Sequence, residues 1–265
     1  MLAVGLDIGS TTTKAAVIEG DAVLGHAVVA TGANCRRAVE AALTEALRRA
    51  DRDAEEVGYT LATGYGRRLV DADATLSEIT ANAAGARHLT RDSIPVRTVI
   101  DIGGQDSKVI AVDAEGIVQN FAMNDKCAAG TGRFLEVMSR ILEVDLDQLG
   151  PLALQSTERV SISSVCTVFA ETEVISLLAQ ARRASDIIAG VHRSIAKRVG
   201  DLARGVGVAD PVFFDGGPAL NVGLQRALEE ELGVHLVVPE FPQVATAIGA
   251  ATLAARRLSG RASAG

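Results

Sequence analysis

The chain has 265 residues, of which 48% are apolar, and its formal net charge at pH 7 is −7. This apolar content suits a large packed core rather than disorder, and the acidic balance argues against a nucleic-acid binder that depends on a basic surface. Aromatic residues make up only 3% and there is no Trp, so base-stacking platforms are not expected either.

Two further features of the sequence bear on where the protein is located. No apolar run approaches the roughly 18 residues of a membrane span, so we expect no membrane contact. The N-terminus, MLAVGLDIGS, indicates a strand and a turn and lacks the basic start of a signal peptide. We therefore expect a cytoplasmic protein.

Hydrophobic periodicity predicts alternating strands and helices, which is typical of an α/β fold. The first half begins with a strand, turn and strand over 3–20. It continues with a strand at 23–30, a helix at 36–50, a strand at 57–64 and a helix at 76–89.

The second half opens with another strand, turn and strand over 96–116. Helices follow at 131–143 and 145–156, and 161–180 indicates a strand, then Cys166, then a helix. The remaining predictions are a helix at 184–207, a strand, Gly-Gly turn and helix over 211–233, a strand at 234–240, and a helix at 244–257 before a frayed tail.

One pattern occurs twice. LDIGSTTTKAAVI (6–18) and IDIGGQDSKVIAV (100–112) both contain D-I-G-x-x-x-x-K between two predicted strands. This repeat predicts two similarly built lobes. We place one lobe at 1–94, completed by the helix at 244–257, and the other at 95–243.

The first copy has the residues of a phosphate-binding turn. Gly9 allows close approach of the backbone to a phosphate, Asp7 is placed to hold a hydrated Mg²⁺, and Lys14 is placed to meet a phosphate. Hydroxyl and N–H donors come from a run of four residues, Ser10, Thr11, Thr12 and Thr13. An ordinary polar hairpin remains an alternative for this copy alone.

The second copy offers catalytic groups as well. A glutamine beside a γ-phosphate can orient the attacking water, which is the role we assign to Gln105, and Asp101 can accept its proton or bind metal through water. Gly103, Gly104 and Lys108 complete this turn. Two such turns facing one cleft would hold a nucleoside triphosphate, with ATP or ADP and Mg²⁺ as the expected ligands.

A third element follows the predicted strand near 211. Gly216 and Gly217 allow flat backbone to pass an adenosine, and the helix that starts near Asn221 directs N–H groups toward phosphate. Alone, this element is equally compatible with a plain strand-to-helix turn. In this order the three elements resemble the phosphate 1, phosphate 2 and adenosine motifs of the actin-like ATPase superfamily, which implies a two-lobed fold with a nucleotide cleft between the lobes.

Two cysteines, Cys127 and Cys166, each precede a predicted helix, whose N-terminus favours a thiolate. Such a thiolate is compatible with a nucleophile, a redox thiol, a metal ligand or a buried structural residue. Two cysteines per chain are half of a Cys₄ set, and a symmetric dimer would complete it around one 4Fe–4S cluster. The residues alone leave these alternatives open.

Longer stretches are more specific. NDKCAAGTGRFLEVMSRILEV, ISSVCTVFAETEVISLLAQ, DIIAGVHRSIAKRV and TLATGYGR resemble the ATPase activators of 2-hydroxyacyl-CoA dehydratases, a family shared with the ATPase subunits of benzoyl-CoA reductase. The resemblance spans Gly5 to about Ala254.

The resemblance implies a homodimer in which Cys127 and Cys166 of each chain bridge one 4Fe–4S cluster, with helices beginning near Gly130 and Val168 pointing at it. It implies that the run Gly130, Thr131 and Gly132 lies at the phosphates. It also implies ATP-driven delivery of one low-potential electron, received from a ferredoxin or flavodoxin, to a partner dehydratase in anaerobic metabolism.

Two residues depart from the family pattern. Asp215 precedes the glycines of the third element, where its charge would repel phosphates unless it faces the ribose or solvent. Cys35 has no counterpart, and we interpret it as a thiol at a helix start without a ligand role.

Three rival functions stay open at this stage: an ATPase subunit of a benzoyl-CoA-type reductase, an actin-like small-molecule kinase with structural cysteines, and a regulatory nucleotide-binding module without turnover. The kinase alternative predicts no iron and a phosphoryl acceptor. The presence of Asp101 and Gln105 argues against the regulatory module.

Overall fold

The computed structural model describes residues 1–93, 95–125, 127–163 and 166–262. In chain order the strands are β1 (Leu2–Ile8), β2 (Thr12–Glu19), β3 (Ala22–Ala30), β4 (Val57–Thr63), β5 (Ala74–Thr75), β6 (Thr98–Ile102), β7 (Ser107–Val112), β8 (Val118–Asn124), β9 (Val212–Asp215) and β10 (Leu236–Val237). The helices are α1 (Cys35–Ala50), α2 (Glu78–Leu89), α3 (Gly132–Leu142), α4 (Leu149–Ala153), α5 (Thr167–Ala179), α6 (Ala184–Val206), α7 (Val222–Leu232) and α8 (Ala245–Ala262). Within the described ranges, none of these helices combines the length and hydrophobicity that a membrane span requires.

The chain divides into two compact units. The first comprises Met1–Val99, Val112–Gln119 and Pro239–Gly265, and the second comprises Ile100–Ala111 and Asn120–Val238. Each unit contains most of one five-stranded sheet with helices, which confirms the predicted α/β class.

The two sheets have the same strand arrangement. The first has the order β3-β2-β1-β4-β5, and the second, β10-β9-β6-β7-β8, is the same order read from its other end with β6 in the place of β1. In the first sheet β1 pairs antiparallel with β2 and parallel with β4. The D-I-G repeat in the sequence therefore corresponds to a repeat of whole sheets.

Strand β1 organises the core of the first unit through its alternation of side chains. Leu2, Val4, Leu6 and Ile8 belong to the apolar cluster that includes α1, whereas Ala3 belongs to the cluster that includes α8. On the α8 side, a Cβ added at Gly5 would lie 2.0 Å from the Ala247 carbonyl oxygen. Only glycine allows α8 to approach β1 this closely.

The core of the second unit fixes the start of α3 beside the end of β6. Ile100 and Ile102 of β6, Phe214 of β9, and Phe134 and Met138 of α3 are all buried in one cluster. Burial of side chains of this size stabilises the fold by about 1.5–3 kcal/mol each. This buried apolar cluster thus supports the turns that follow β6 and β9.

Three predictions about elements need correction. Residues 161–163 of the strand predicted before Cys166 are not a strand, because the Ser163 N–H donates to the side chain of Glu173 on α5 and not to a neighbouring strand. Residues 164 and 165 lie outside the described residues. The helix predicted at 145–156 is shorter, a 3-10 turn at Leu146–Gln148 followed by α4. The tail predicted to fray after residue 257 continues α8 to Ala262, and residues 263–265 lie outside the described residues.

The crossing of α2 and α8 yields a stability prediction. A Cβ added at Gly249 would lie 1.8 Å from the Ala81 carbonyl oxygen, whereas one added at Gly260, on the same helix, would meet nothing within 4 Å. Gly249→Ala should therefore lower the free energy of unfolding by about 3 kcal/mol, since overpacking forces backbone to move. Gly260→Ala is the matched control and should raise it by about 0.5 kcal/mol through helix propensity. Urea unfolding of both variants tests this, and equal effects would contradict the close crossing.

Candidate functional site

The first D-I-G turn is closed by an ion pair. Asp7 and Lys14 face each other across the β1–β2 register, and Lys14 Nζ donates to Asp7 Oδ2 at 2.9 Å. Both side chains are largely shielded from water. The pair fixes the carboxylate at the end of β1 and places the lysine charge beside it rather than at the tip of the turn.

The tip of this turn is tight and partly structural. Gly9 N donates to the Thr12 carbonyl at 3.1 Å, and a Cβ at Gly9 would lie 2.9 Å from that oxygen. Thr13 is fully buried, with its hydroxyl 2.9 Å from the Thr31 hydroxyl, which itself donates to the Gly9 carbonyl. The exposed Ser10 and half-buried Thr11 and Thr12 are the part of the run that is open to a ligand.

The second turn repeats this geometry in the second unit. Lys108 Nζ donates to Asp101 Oδ2 at 2.9 Å and pairs with Asp106 Oδ2 at 2.8 Å, and Lys108 is only 3% exposed. Gly103 N donates to the Asp106 carbonyl at 2.9 Å, as Gly9 does to Thr12. Gln105 is exposed at the tip. Lys108 thus lies between two carboxylates of this turn.

The start of α3 is bonded directly to this turn. Gly132 N donates to the Gly103 carbonyl and Arg133 N donates to the Gly104 carbonyl, both at 2.9 Å. The Ser107 hydroxyl donates to the Gly130 carbonyl at 3.1 Å. Two of the N–H groups that a helix start leaves unpaired are therefore used by the turn itself. Sequence reasoning placed 130–132 at the phosphates but missed this connection and the part of Ser107 in it.

Glycine suits both ends of this contact. Gly130 has φ +103°, a left-handed conformation that side chains rarely adopt, and a Cβ at Gly132 would lie 3.2 Å from the Gly103 carbonyl oxygen. The segment then leads back to Cys127, whose carbonyl accepts a hydrogen bond from Asn124 Nδ2 at 2.9 Å. A short, bonded stretch thus separates Cys127 from the second turn.

The third element packs against the same turn. Gly216 has φ +89°, and a Cβ there would lie 2.1 Å from the Ile102 carbonyl oxygen and 2.9 Å from Asp101 Oδ1. A Cβ at Gly132 would lie 3.4 Å from Pro218 Cγ. The second unit therefore brings together 101–108, 130–133 and 216–218, whereas the turn at 7–14 belongs to the first unit.

Asp215 and Cys35 now have defined positions. Asp215 ends β9 and is only 1% exposed, so the suggestion that it faces solvent is wrong. Cys35 is the first residue of α1 and packs beside the apolar cluster under that helix.

Both ends of the half-buried Asn221 amide are hydrogen-bonded within the protein. Its Oδ1 accepts from Leu224 N at 2.9 Å, which caps α7, and its Nδ2 lies 3.1 Å from Nε2 of His192. His192 is buried, and burial, together with the charge of Arg193, lowers its pKa to about 3. The histidine is therefore neutral at physiological pH.

Cys166 is the N-cap residue of α5. Residues 156–160, which precede it in the chain, are hydrogen-bonded to side chains of α6. Asp186 Oδ1 accepts from the Ser156 hydroxyl and from the N–H groups of Thr157 and Glu158, at 2.7–3.0 Å. Arg193 donates to the Val160 carbonyl at 2.8 Å. These bonds hold residues 156–160 against α6.

Exposed apolar side chains flank both cysteines along the chain. Phe121 and Met123 on the edge strand β8 precede Cys127, and Val168, Phe169 and Ile175 on α5 follow Cys166. Phe169 is 72% exposed and Phe121 51%, in a chain with only six Phe. All three cysteines are half-buried thiols rather than disulfides. Exposed apolar residues on this scale mark an interaction surface.

The fold belongs to a known class. A glucokinase of the ROK family from Streptomyces griseus, bound to glucose and AMPPNP, superposes over 97% of this chain and all of its own, with a TM-score of 0.60 at 15% identity. At that identity the likeness shows the fold alone, a two-lobed actin-like ATPase and kinase fold. The predicted fold is confirmed.

The chain belongs to the BadF/BadG/BcrA/BcrD ATPase family, whose pattern matches residues 4–254. The (R)-2-hydroxyglutaryl-CoA dehydratase activating ATPase of Acidaminococcus fermentans is 46% identical over 96% of each chain. The activator of the 2-hydroxyisocaproyl-CoA dehydratase from Clostridium difficile, solved with bound ADPNP, has a TM-score of 0.94 at 41% identity, covering 100% of this chain and 98% of its own. A benzoyl-CoA reductase component from Thauera aromatica is 33% identical over 96% of this chain and 93% of its own. The predicted family is confirmed.

The burial of His192 yields a prediction about pH. The unfolded chain protonates this residue near its ordinary pKa of 6.5, but the folded chain does so only near 3, so stability falls as the pH drops below 6.5. Between pH 6.5 and 5 this loss should be about 2 kcal/mol. His192→Gln keeps an acceptor for Asn221 but cannot be protonated, so it should lose that much less. Urea unfolding at pH 7 and pH 5 compares the two proteins, and identical pH dependence would contradict the prediction.

Proposed function

We propose that this protein is a cytoplasmic, ATP-dependent one-electron donor that reductively activates a 2-hydroxyacyl-CoA dehydratase in anaerobic metabolism. The observation that carries the proposal is the bonding of the second D-I-G turn to the start of α3, through Gly132 N to Gly103 and Arg133 N to Gly104. This links a phosphate-binding turn to the segment that carries Cys127. The activators that this chain resembles support the direction of the proposal.

The nucleotide would be held by residues of all three motifs. We assign phosphate contacts to Gly9 and the exposed part of its turn, to Gly103 and Gly104, and the adenosine to the backbone of Gly216 and Gly217. The exposed Gln105 orients the attacking water, and Asp101 accepts its proton or holds a metal-bound water. Lys14 and Lys108 act through their aspartates, which they hold in place.

Magnesium fits the carboxylates that the structure presents. Mg²⁺ keeps several waters and is bound by one or two carboxylates together with substrate phosphates, so a complete protein cage is not needed. Asp7 and Asp101 each stand at a strand end beside one lysine. When bound, the metal would neutralise charge on the phosphate oxygens.

A 4Fe–4S cluster fits Cys127 and Cys166 if two chains contribute. Among the described residues, no three His, Cys, Asp or Glu side chains form a metal site within one chain, so the two thiols would need a second pair from a partner chain. Both thiols are half-buried and flanked by exposed apolar residues, as expected at an interface. When bound, the cluster would supply one-electron chemistry. The chain's own part is to hold it at the start of α5 and beside α3.

We propose a homodimer on this surface. In a twofold interface the same residues meet on both chains, so Phe169, Phe121 and the thiols would all be covered at once. A ferredoxin or flavodoxin would supply the electron, and the dehydratase would receive it. Closure of the predicted lobes, 1–94 with 244–257 against 95–243, would couple ATP to this transfer by moving the second turn and Cys127 together.

The second candidate is the ATPase subunit of a benzoyl-CoA-type reductase. The relationship to a component of such a reductase supports it, but at 33% identity against 46% for a dehydratase activator. The two candidates share the ATPase and the cluster and differ in the protein that receives the electron. Electron transfer to a purified dehydratase would separate them.

The cluster assignment is tested by iron content. Cys127→Ser and Cys166→Ser should each abolish iron binding and leave a folded chain that binds nucleotide, whereas Cys35→Ser, the matched control, should retain it. Iron and acid-labile sulfide are measured on anaerobically purified protein, together with its mass in solution. We expect about four irons per dimer of wild type. Full iron content in either Cys127→Ser or Cys166→Ser would refute the bridging assignment, and an iron-free wild-type monomer would favour the kinase.

The catalytic assignment is tested at Gln105. Gln105→Ala should slow ATP hydrolysis by about 10²-fold or more, because the attacking water is no longer oriented, while ATP affinity changes little. Single-turnover hydrolysis and equilibrium binding of ADPNP give the two quantities. Gln119→Ala, an exposed glutamine outside the turn, is the control. An equal loss of binding and hydrolysis in Gln105→Ala would point to a structural role.

A further inference from the structure

We infer that His192 is a positioning residue for nucleotide binding: the tautomer with its hydrogen on Nδ1 accepts the Asn221 amide at Nε2 and thereby fixes the 216–220 turn on which the adenosine would lie. This rests on the proposed function insofar as that turn binds the adenosine. His192 itself would not touch the nucleotide.

The tautomer follows from the other bonds of Asn221. Its Oδ1 accepts from Leu224 N at 2.9 Å to cap α7, so the atom 3.1 Å from His192 Nε2 is the amide nitrogen. An amide nitrogen can only donate, so Nε2 must accept and the ring hydrogen must lie on Nδ1. Nδ1 has no hydrogen-bond partner among the described residues, so the bond at Nε2 decides the tautomer. The lowered pKa of His192, caused by burial and by the charge of Arg193, agrees with a neutral ring.

The surrounding backbone packs closely on this pair. His192 is 1% exposed. A Cβ added at Gly223 would lie 2.9 Å from His192 Nδ1, and one added at Gly150 would lie 2.9 Å from Asn221 Oδ1. The two glycines let α4 and the start of α7 close around the pair. Because His192 is buried beside it, loss of the histidine would remove the acceptor of the half-buried Asn221 amide and leave that donor without its protein partner.

Backbone hydrogen bonds connect Asn221 to the 216–220 turn. Asn221 N donates to the Pro218 carbonyl at 3.0 Å, and Ala219 N donates to the Gly216 carbonyl at 3.2 Å. Gln225 Nε2 donates to the Ala219 carbonyl at 2.7 Å from the first turns of α7. A shift of Asn221 therefore shifts the turn as a unit. Since the turn would contact the adenosine, ATP and ADP should be affected to the same extent.

Two variants of His192 separate positioning from simple packing. His192→Leu fills the space but offers no acceptor, and it should weaken both ADP and ADPNP about tenfold, with the ratio of the two affinities unchanged. His192→Gln restores an acceptor and should bind both within about twofold of wild type. Both are measured by calorimetry on the anaerobically purified full-length protein, at a temperature where thermal unfolding shows each variant to be folded.

A spectroscopic readout keeps the inference testable if His192→Leu fails to fold. In wild type labelled with ¹⁵N-histidine, the resonances absent from His192→Gln belong to His192, and its Nε2 should have the shift of an unprotonated acceptor. Nε2 carrying the hydrogen would overturn the inference, as would wild-type affinity in His192→Leu, an equal loss in His192→Gln, or a loss for ADPNP alone. If wild type binds neither nucleotide, it is the proposed function that fails.

Discussion

The second unit depends on the close contact between the D-I-G-G turn and the first residues of α3. Two backbone hydrogen bonds, from Gly132 to Gly103 and from Arg133 to Gly104, hold a strand-end turn and a helix start as one body. A Cβ at Gly132 would lie 3.2 Å from the Gly103 carbonyl oxygen, so glycine favours this close contact. The turn is thereby bonded to the stretch that leads back through Gly130 to the segment of Cys127.

Each turn is also held by an ion pair. Each D-I-G turn buries one lysine against the aspartate at the end of its central strand, Lys14 with Asp7 and Lys108 with Asp101. Separating such a pair would leave an unpaired, poorly hydrated charge. The aspartates are therefore held in position before any ligand binds. The exposed groups at the tips, including Ser10 and Gln105, are the ones to which we assign ligand contacts in the proposed function.

The sequence predicted much of this because its signals are local. The repeated D-I-G-x-x-x-x-K pattern located both turns and implied the duplicated sheets, and the cysteine-centred stretches identified the family, which the comparisons confirmed. The strand predicted before Cys166 was wrong over 161–163, where the Ser163 N–H donates to the Glu173 side chain of α5 instead of to a neighbouring strand. No pattern in the sequence indicated the role that we infer for His192. A single histidine on an amphipathic helix acquires meaning only when folding brings Asn221 to it from another helix.

The central claim, that the phosphate-binding turn and the Cys127 segment respond to nucleotide as one body, is tested most directly by hydrogen exchange. Anaerobically purified protein is compared without nucleotide, with ADP and with ADPNP, following peptides that cover 103–108 and 127–133. The account predicts that protection changes in both peptides together and at the same nucleotide concentration. A change in 103–108 with none in 127–133 would show that the turn moves independently of the cysteine segment, and would contradict it.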